Sequence, residues 1–223
     1  MNVRSVFSIP RGLVILIAGL ASQQMALGHH AVFMEGHPLI QGLSMPLHGL
    51  DHMLMAIAVG IIAVQLGGRA LWMAPVGFVA VLLTGGLLNL NGISVPLVEL
   101  MIMAALLLAG AQLGLENRMP TGIIVALFSL MGVFHGQALI QPLLAEAPLG
   151  ELLLFTGGCL FSALLLLFSG IGIGFLLKKR TEKDLFPLAG ATLVVSTFVI
   201  VLVPQANGWL GAVFEGLGTA IFS

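Results

Sequence analysis

The stretch MPLHGLDHM, residues 45–53, places two imidazoles and a carboxylate at the start of a long apolar run. His48, Asp51 and His52 lie within five positions, and the eleven residues 54–64 that follow carry no charge. Ionisable groups are costly in hydrocarbon and usually face a protein interior or a water-filled path. The stretch therefore predicts a polar site at the mouth of a membrane-spanning helix.

The composition of the whole chain agrees with a membrane protein. Of 223 residues, 59% are hydrophobic and 8% are charged, and the mean hydropathy is +1.13. Soluble domains carry about a quarter charged residues. The net charge of −1 and the scattered cations give no surface for nucleic acid. A single cysteine, Cys159, excludes a disulfide framework and a cysteine-based zinc site.

Six apolar segments predict an all-α integral membrane protein, a six-transmembrane-helix bundle preceded by a signal peptide. Residues 1–28 combine a basic start, a short apolar stretch and a small-residue cleavage site, so we expect them to be cleaved; an uncleaved anchor helix is the alternative. Residues 29–45 form a periplasmic His-bearing segment, residues 46–203 the membrane domain and residues 204–223 a tail. The predicted spans are Pro46–Leu66, Leu71–Leu90, Pro96–Gly114, Thr121–Ile140, Glu151–Leu177 and Phe186–Val203.

The cations predict how these spans are oriented. All eight Lys and Arg fall on one side of the six-span arrangement, and the positive-inside rule makes that side cytoplasmic. The mature amino terminus and the carboxyl terminus are then both periplasmic, in a multi-pass protein of the bacterial inner membrane. The cations are Arg4, Arg11, Arg69, Arg118, Lys178, Lys179, Arg180 and Lys183.

Five ionisable side chains lie inside the spans or at their mouths, and the topology places all of them in one layer within about 10 Å of the outer surface. They are His48, Asp51, His52, Glu99 and His135. On a continuous helix the first three share one arc, at 100° per residue. Imidazoles and carboxylates together suit a divalent transition-metal ion. A proton relay and a hydrogen-bonded network that only fixes helix packing are the alternatives.

Three stretches resemble the HupE/UreJ family of bacterial membrane proteins: residues 46–72, the VPLVE sequence that ends at Glu99, and FHGQA at residues 134–138. The likeness covers most of the chain from Pro46 to about Phe198. It implies a six-span permease for nickel, or in some genomes cobalt. It implies neither an enzyme, nor an ATPase of its own, nor a permanently bound cofactor.

The family motifs are matched in part. Asp51 and His52 match the end of His-x5-Asp-His, whose first histidine falls at Met45; His48 is the candidate substitute. In the motif Phe-His-Gly-x-Ala-His-Gly-x-Glu, the first five positions match at residues 134–138. The positions of the later histidine, glycine and glutamate hold Leu139, Ile140 and Pro142.

The sequence thus predicts a permease for a divalent metal ion, with nickel or cobalt favoured and with the ion and the lipid bilayer as its partners. In this prediction His48, His52 and His135 ligate the ion, and Asp51 and Glu99 offset its charge or ligate it. Two alternatives stay open. One is a zinc-dependent intramembrane hydrolase, and the other is a degenerate, non-transporting accessory membrane protein.

Overall fold

The computed structural model describes residues 37–115, 119–140, 142–179 and 185–203, and over these residues the chain is all-helical, as predicted. The predicted signal peptide and the tail from residue 204 lie outside the described residues. The helices are α1 (Pro38–His48), α2 (Leu50–Leu66), α3 (Ala70–Leu90), α4 (Val98–Gly114), α5 (Thr121–Leu139), a 3₁₀ helix (Pro142–Glu146), α6 (Leu149–Lys179) and α7 (Phe186–Leu202).

Five of the six predicted spans correspond to single helices, α3 to α7, whose bounds differ from the prediction by at most two residues. Within the described residues, α3, α5 and α6 are each long and apolar enough to cross a membrane, and α1 with α2 makes a fourth if the bent pair counts as one span. Helices α4 and α7 are apolar but shorter, at 17 residues each. The apolar helices fit a membrane protein, and the count of six spans stays a prediction.

The first predicted span, Pro46–Leu66, is wrong as a single helix. The chain breaks at Gly49, whose φ of −108° and ψ of 117° are extended, and α1 meets α2 at 79°. Pro46 lacks the N–H that would extend the hydrogen-bond ladder through this region. The boundary predicted at residue 46 falls inside α1. Helix α1 packs along α6.

Close helix contacts in the bundle depend on glycine. Where α3 meets α5, a Cβ on Gly136 would overlap the carbonyl oxygen of Leu82. Where α2 meets α6, a Cβ on Gly60 would overlap the carbonyl oxygen of Leu167. Small residues at such contacts let helix backbones approach, which is how helices associate in lipid. Helix α4 packs mainly on α7. Helix α2 packs on α6 and also contacts α3 and α4.

One end of the bundle gathers the ionisable side chains. His52 in the first turn of α2 contacts His135 near the end of α5. Asn89 at the end of α3 donates to the backbone carbonyl of Gln137 on α5 at 2.8 Å. The start of α2 and the ends of α3 and α5 therefore meet at one level, which we call the site end.

The opposite end is bordered by cations. Gln65 near the end of α2 donates to the carbonyl of Leu113 near the end of α4 at 3.2 Å, and Leu113 shares a cavity lining with Leu177 of α6. Arg69 lies between α2 and α3, and Lys178 lies in the last turn of α6. Both side chains are exposed. We call this the cationic end, and the positive-inside rule predicts that it faces the cytoplasm.

Candidate functional site

The site begins at the break between α1 and α2. Gly49 precedes the first turn of α2, and the Asp51 carboxylate accepts the backbone N–H of His52 at 2.8 Å. This bond satisfies one of the four N–H groups that a helix start leaves without a backbone partner, and a carboxylate is favoured at that end of the helix dipole. Asp51 is 3% exposed, so the break holds a carboxylate inside the protein.

The two imidazoles of the FHG and DH motifs are in direct contact. The Nδ1 atoms of His52 and His135 lie 2.9 Å apart, and their rings meet edge to face with centroids 5.0 Å apart. One of the two nitrogens carries the proton and donates, and the other accepts. Asp51 Oδ1 lies 3.7 Å from Nδ1 of His52. The structure thus brings together three of the five predicted site residues, from two helices.

A small cavity lies beside this pair. Its volume is about 10 Å³, enough for one water-sized species, and its lining is apolar apart from His52 and His135. His135 is 1% exposed, and its Nε2 has no hydrogen-bond partner among the described residues. A buried polar atom without a partner is rare and costly, and it requires an explanation. One explanation is a ligand that binds Nε2 of His135.

The two remaining predicted site residues, Glu99 and His48, lie outside the contact between His52 and His135. Glu99 is half-buried in the first turn of α4, at the site end. His48 is the last residue of α1, and its Nδ1 lies 2.7 Å from the carbonyl oxygen of Ser44. The prediction that His48 and His52 share one arc of a continuous helix is wrong, because the break at Gly49 separates them.

The predicted metal layer is therefore partly assembled in this conformation. Across the part of the chain that the structure describes, no three His, Cys, Asp or Glu side chains stand close enough to hold one metal ion. His52, His135 and Asp51 are in contact. Glu99 lies at the same end of the bundle, in the first turn of α4. Ligation by three or more of these residues requires a change of conformation.

Sequence reasoning missed two buried amides next to the site, Asn89 and Gln137. Gln137 is 4% exposed. Its carboxamide donates to the carbonyls of Gly85 and Ile93 and accepts the N–H of Val95. Asn89 is 7% exposed and donates to the backbone of α5. The only signal in the sequence was an uncharged amide inside an apolar run, which composition does not set apart.

The sequence model of the HupE / UreJ protein family matches residues 16–200, which include every helix from α1 to α6 and most of α7. The chain belongs to the HupE/UreJ family.

A HupE/UreJ relative supports this membership along most of the chain. Protein HupE of Rhizobium leguminosarum bv. viciae is 32% identical over 188 residues, which are 80% of this chain and 95% of the relative. No solved structure matches the chain. The resemblance predicted from residues 46–72, Glu99 and residues 134–138 is confirmed.

Proposed function

We propose that this HupE/UreJ protein is a permease that takes up a divalent transition-metal ion, nickel or cobalt, across the bacterial inner membrane. The contact that carries the proposal is the one between the His52 and His135 rings, with Nδ1 atoms 2.9 Å apart beside a buried Asp51. Neutral imidazole suits nickel and cobalt, and a neighbouring carboxylate offsets their charge. The family is associated with uptake of these metals for hydrogenase and urease.

The arrangement that we propose in the membrane has six crossings. The bent pair α1 and α2 forms the first crossing, and α3 to α7 form the others. The 17 residues of α4 and of α7 extend about 26 Å, close to the thickness of a hydrocarbon core. With the cationic end in the cytoplasm, the site end and both termini of the mature chain face the periplasm.

Capture of the ion follows from the chemistry of the pair. When Nδ1 of His135 donates to Nδ1 of His52, Nε2 of His135 holds a lone pair with no other partner among the described residues. A hydrogen bond at one ring nitrogen fixes the tautomer and orients the other nitrogen for a metal. Asp51 and Glu99 supply negative charge, and His48, at the end of α1, is the further candidate ligand.

Passage inward requires a conformational change. Beyond the pair, the core of the described residues is filled by apolar side chains such as Met55, Ile102 and Leu106, each at most 1% exposed. The membrane potential favours inward movement of a divalent cation by about 4.6 kcal/mol per 100 mV. The metal is cargo in this proposal, and the protein acts as a transporter and not as an enzyme.

Uptake by whole cells tests the proposal. Cells that express the wild type, His52→Ala or His135→Ala are given nickel, cobalt, copper or zinc, with the amount of protein in the membrane matched by immunoblot. We expect nickel or cobalt to accumulate in wild-type cells, and either substitution to reduce accumulation to the empty-vector level. His37→Ala is the matched control, because this exposed imidazole only caps the start of α1 and should leave uptake unchanged.

Two results would contradict the permease. The first is accumulation in wild-type cells no higher than in empty-vector cells for all four metals. The second is unimpaired uptake by His52→Ala and His135→Ala together, which would detach transport from the imidazole pair.

A further inference from the structure

The side chain of Gln137 is bonded at every polar position. It lies two residues beyond His135 on α5, and its Nε2 donates to the carbonyls of Ile93 at 2.9 Å and Gly85 at 3.0 Å. Its Oε1 accepts the backbone N–H of Val95 at 3.1 Å. One carboxamide therefore binds α3 and two points of the connection that follows it.

That connection, residues 91–97, leads into α4 through a strained residue. Leu97 has a φ of 59° and a ψ of 33°, the left-handed conformation, and it alone among the described non-glycine residues has a positive φ. Such a conformation is unfavourable for a residue with a side chain, and it persists where the surroundings fix it. The bonds from Gln137 to Ile93 and Val95 end two residues before Leu97 and supply that constraint.

The same connection decides where Glu99 lies. Glu99 follows Leu97 by two residues, in the first turn of α4. Helix α4 runs alongside α2 with their far ends joined through Gln65 and Leu113, so Glu99 lies at the same end of the bundle as Asp51 and His52. Because α4 begins directly after Leu97, a shift of the connection moves the first turn of α4 and the carboxylate with it.

We infer that Gln137 is a positioning residue of the metal site, which holds residues 91–97 so that the first turn of α4 keeps Glu99 at the site end, at the level of Asp51 and His52. The inference rests on the proposed function, since Glu99 matters here as a charge or ligand for the incoming ion. Gln137 itself acts through the backbone, because both polar atoms of its carboxamide bind the backbone of Gly85, Ile93 and Val95.

The backbone of Gln137 is held independently of its side chain. Asn89 Nδ2 donates to the carbonyl of Gln137 at 2.8 Å and to that of Ile140 at 3.1 Å. The end of α5 therefore stays attached to α3 when the Gln137 side chain is changed. A substitution at Gln137 releases the connection before it releases the helix.

Hydrogen exchange of the full-length protein in lipid nanodiscs tests, without any metal, whether the Gln137 side chain holds residues 91–97. Gln137→Met keeps the shape of the side chain and removes its three hydrogen bonds. We expect faster exchange in residues 91–97, where the Val95 N–H loses its acceptor, and in the first turn of α4. Gln112→Met is the matched control: it removes a buried amide bonded to Gln65 at 3.3 Å, thirteen residues along α4 from Glu99 and thus about 20 Å away.

A double-mutant cycle with Glu99 tests the positioning role. The Kd for Ni²⁺ is measured for wild type, Gln137→Met, Glu99→Gln and the double variant. We expect Gln137→Met to weaken binding about tenfold, as is usual when a group that orients a ligand is lost. In the Glu99→Gln background the same change should have no further effect, whereas a general loss of structure would weaken binding in both backgrounds.

The outcomes separate this inference from the proposed function. Unchanged exchange in Gln137→Met, or the same tenfold loss of affinity in both backgrounds, overturns the positioning role. If the wild type binds neither Ni²⁺ nor Co²⁺, the proposed function fails, and exchange in the first turn of α4 alone decides whether Gln137 fixes the position of Glu99. Gln137→Leu, which also removes all three hydrogen bonds and adds no charge, replaces Gln137→Met if that variant does not fold.

Discussion

His135 and Gln137 lie two residues apart on α5, are both almost fully buried, and differ in how their polar atoms are satisfied. All polar atoms of the Gln137 carboxamide have partners in the backbone of α3 or of the connection to α4. His135 has a partner at Nδ1, the ring of His52, and none at Nε2 among the described residues. The two residues therefore represent two kinds of buried polarity within one helical turn.

The difference separates structural from functional polarity. A fully satisfied buried network fixes one arrangement of the chain, and its loss is felt as a loss of stability. An imidazole with one nitrogen left over gains nothing from that nitrogen in folding, so the atom is available to a ligand. Substitution of His135 should therefore mainly remove binding, and substitution of a residue in the satisfied network should mainly reduce stability. Gln137 affects binding only indirectly, through the position of Glu99.

The largest effect is expected for metal binding by His135→Leu. The substitution removes the unsatisfied Nε2, so the Kd for Ni²⁺ should rise about 100-fold or more, the loss of a ligand exceeding that of a group that only orients one. The free energy of unfolding should change by less than about 1 kcal/mol, because the costly buried nitrogen is removed along with the bond to His52. Isothermal titration and chemical unfolding of the same nanodisc or detergent preparation measure the two quantities. A variant that binds Ni²⁺ normally but unfolds easily would place His135 with Asn89, whose role is structural.

The opposite profile is expected for Asn89→Leu. Asn89 donates to two carbonyls of α5, at 2.8 Å and 3.1 Å, and its removal leaves both without that donor in the interior. The free energy of unfolding should fall by about 2 kcal/mol, while the affinity for Ni²⁺ stays close to that of the wild type.

Asn91→Leu is the matched control for this prediction. Its side chain also donates to a helix carbonyl, that of Leu87 at 2.7 Å, but the residue is exposed, so the same substitution should cost little. Equal destabilisation by the two variants would show that burial of the Asn89 bonds is not what matters.

The sequence predicted most of the fold because the helices coincide with long apolar runs bounded by charged residues, glycine or proline. It did not predict the break at Gly49, because His48, Asp51 and His52 on the two sides of the break fit one face of a continuous helix and Pro46 alone is compatible with a kinked helix. Contacts far along the chain favour the bend. A Cβ on Gly42 of α1 would overlap the carbonyl oxygen of Phe155 on α6, so α1 packs tightly on that helix.

The site was predicted to the extent that its residues are ionisable. Asp51, His52 and His135 stand out in apolar runs, and the structure brings these three together. Asn89 and Gln137 do not stand out, and their role depends on which carbonyls reach them from residues more than forty positions away. Such pairings are set by the packing of α3 against α5, which local patterns do not contain.

A smaller effect is expected from Gly49→Ala, which tests whether the break shapes the site. A Cβ at this position would lie 2.5 Å from Oδ1 of Asp51 and 3.2 Å from Cδ2 of His52. The methyl group displaces the carboxylate that caps α2, and we expect the Kd for Ni²⁺ to rise about tenfold, as for other groups that orient a ligand. Gly157→Ala is the control, because a Cβ there meets no atom within 4 Å. Equal affinities for both variants would mean that the position of Asp51 is unimportant for binding.

The smallest effect is expected for Ser129→Ala, which sharpens the comparison from the other side. Ser129 is 8% exposed, and its hydroxyl, like Nε2 of His135, has no hydrogen-bond partner among the described residues. It sits against Gly77, where α5 meets α3. Removing the hydroxyl should leave Ni²⁺ affinity unchanged and should raise the free energy of unfolding by up to about 1 kcal/mol. If Ser129→Ala instead weakens Ni²⁺ binding as His135→Leu does, an unsatisfied buried atom on α5 does not by itself distinguish the metal site, and the role of His135 would have to rest on its contact with His52 alone.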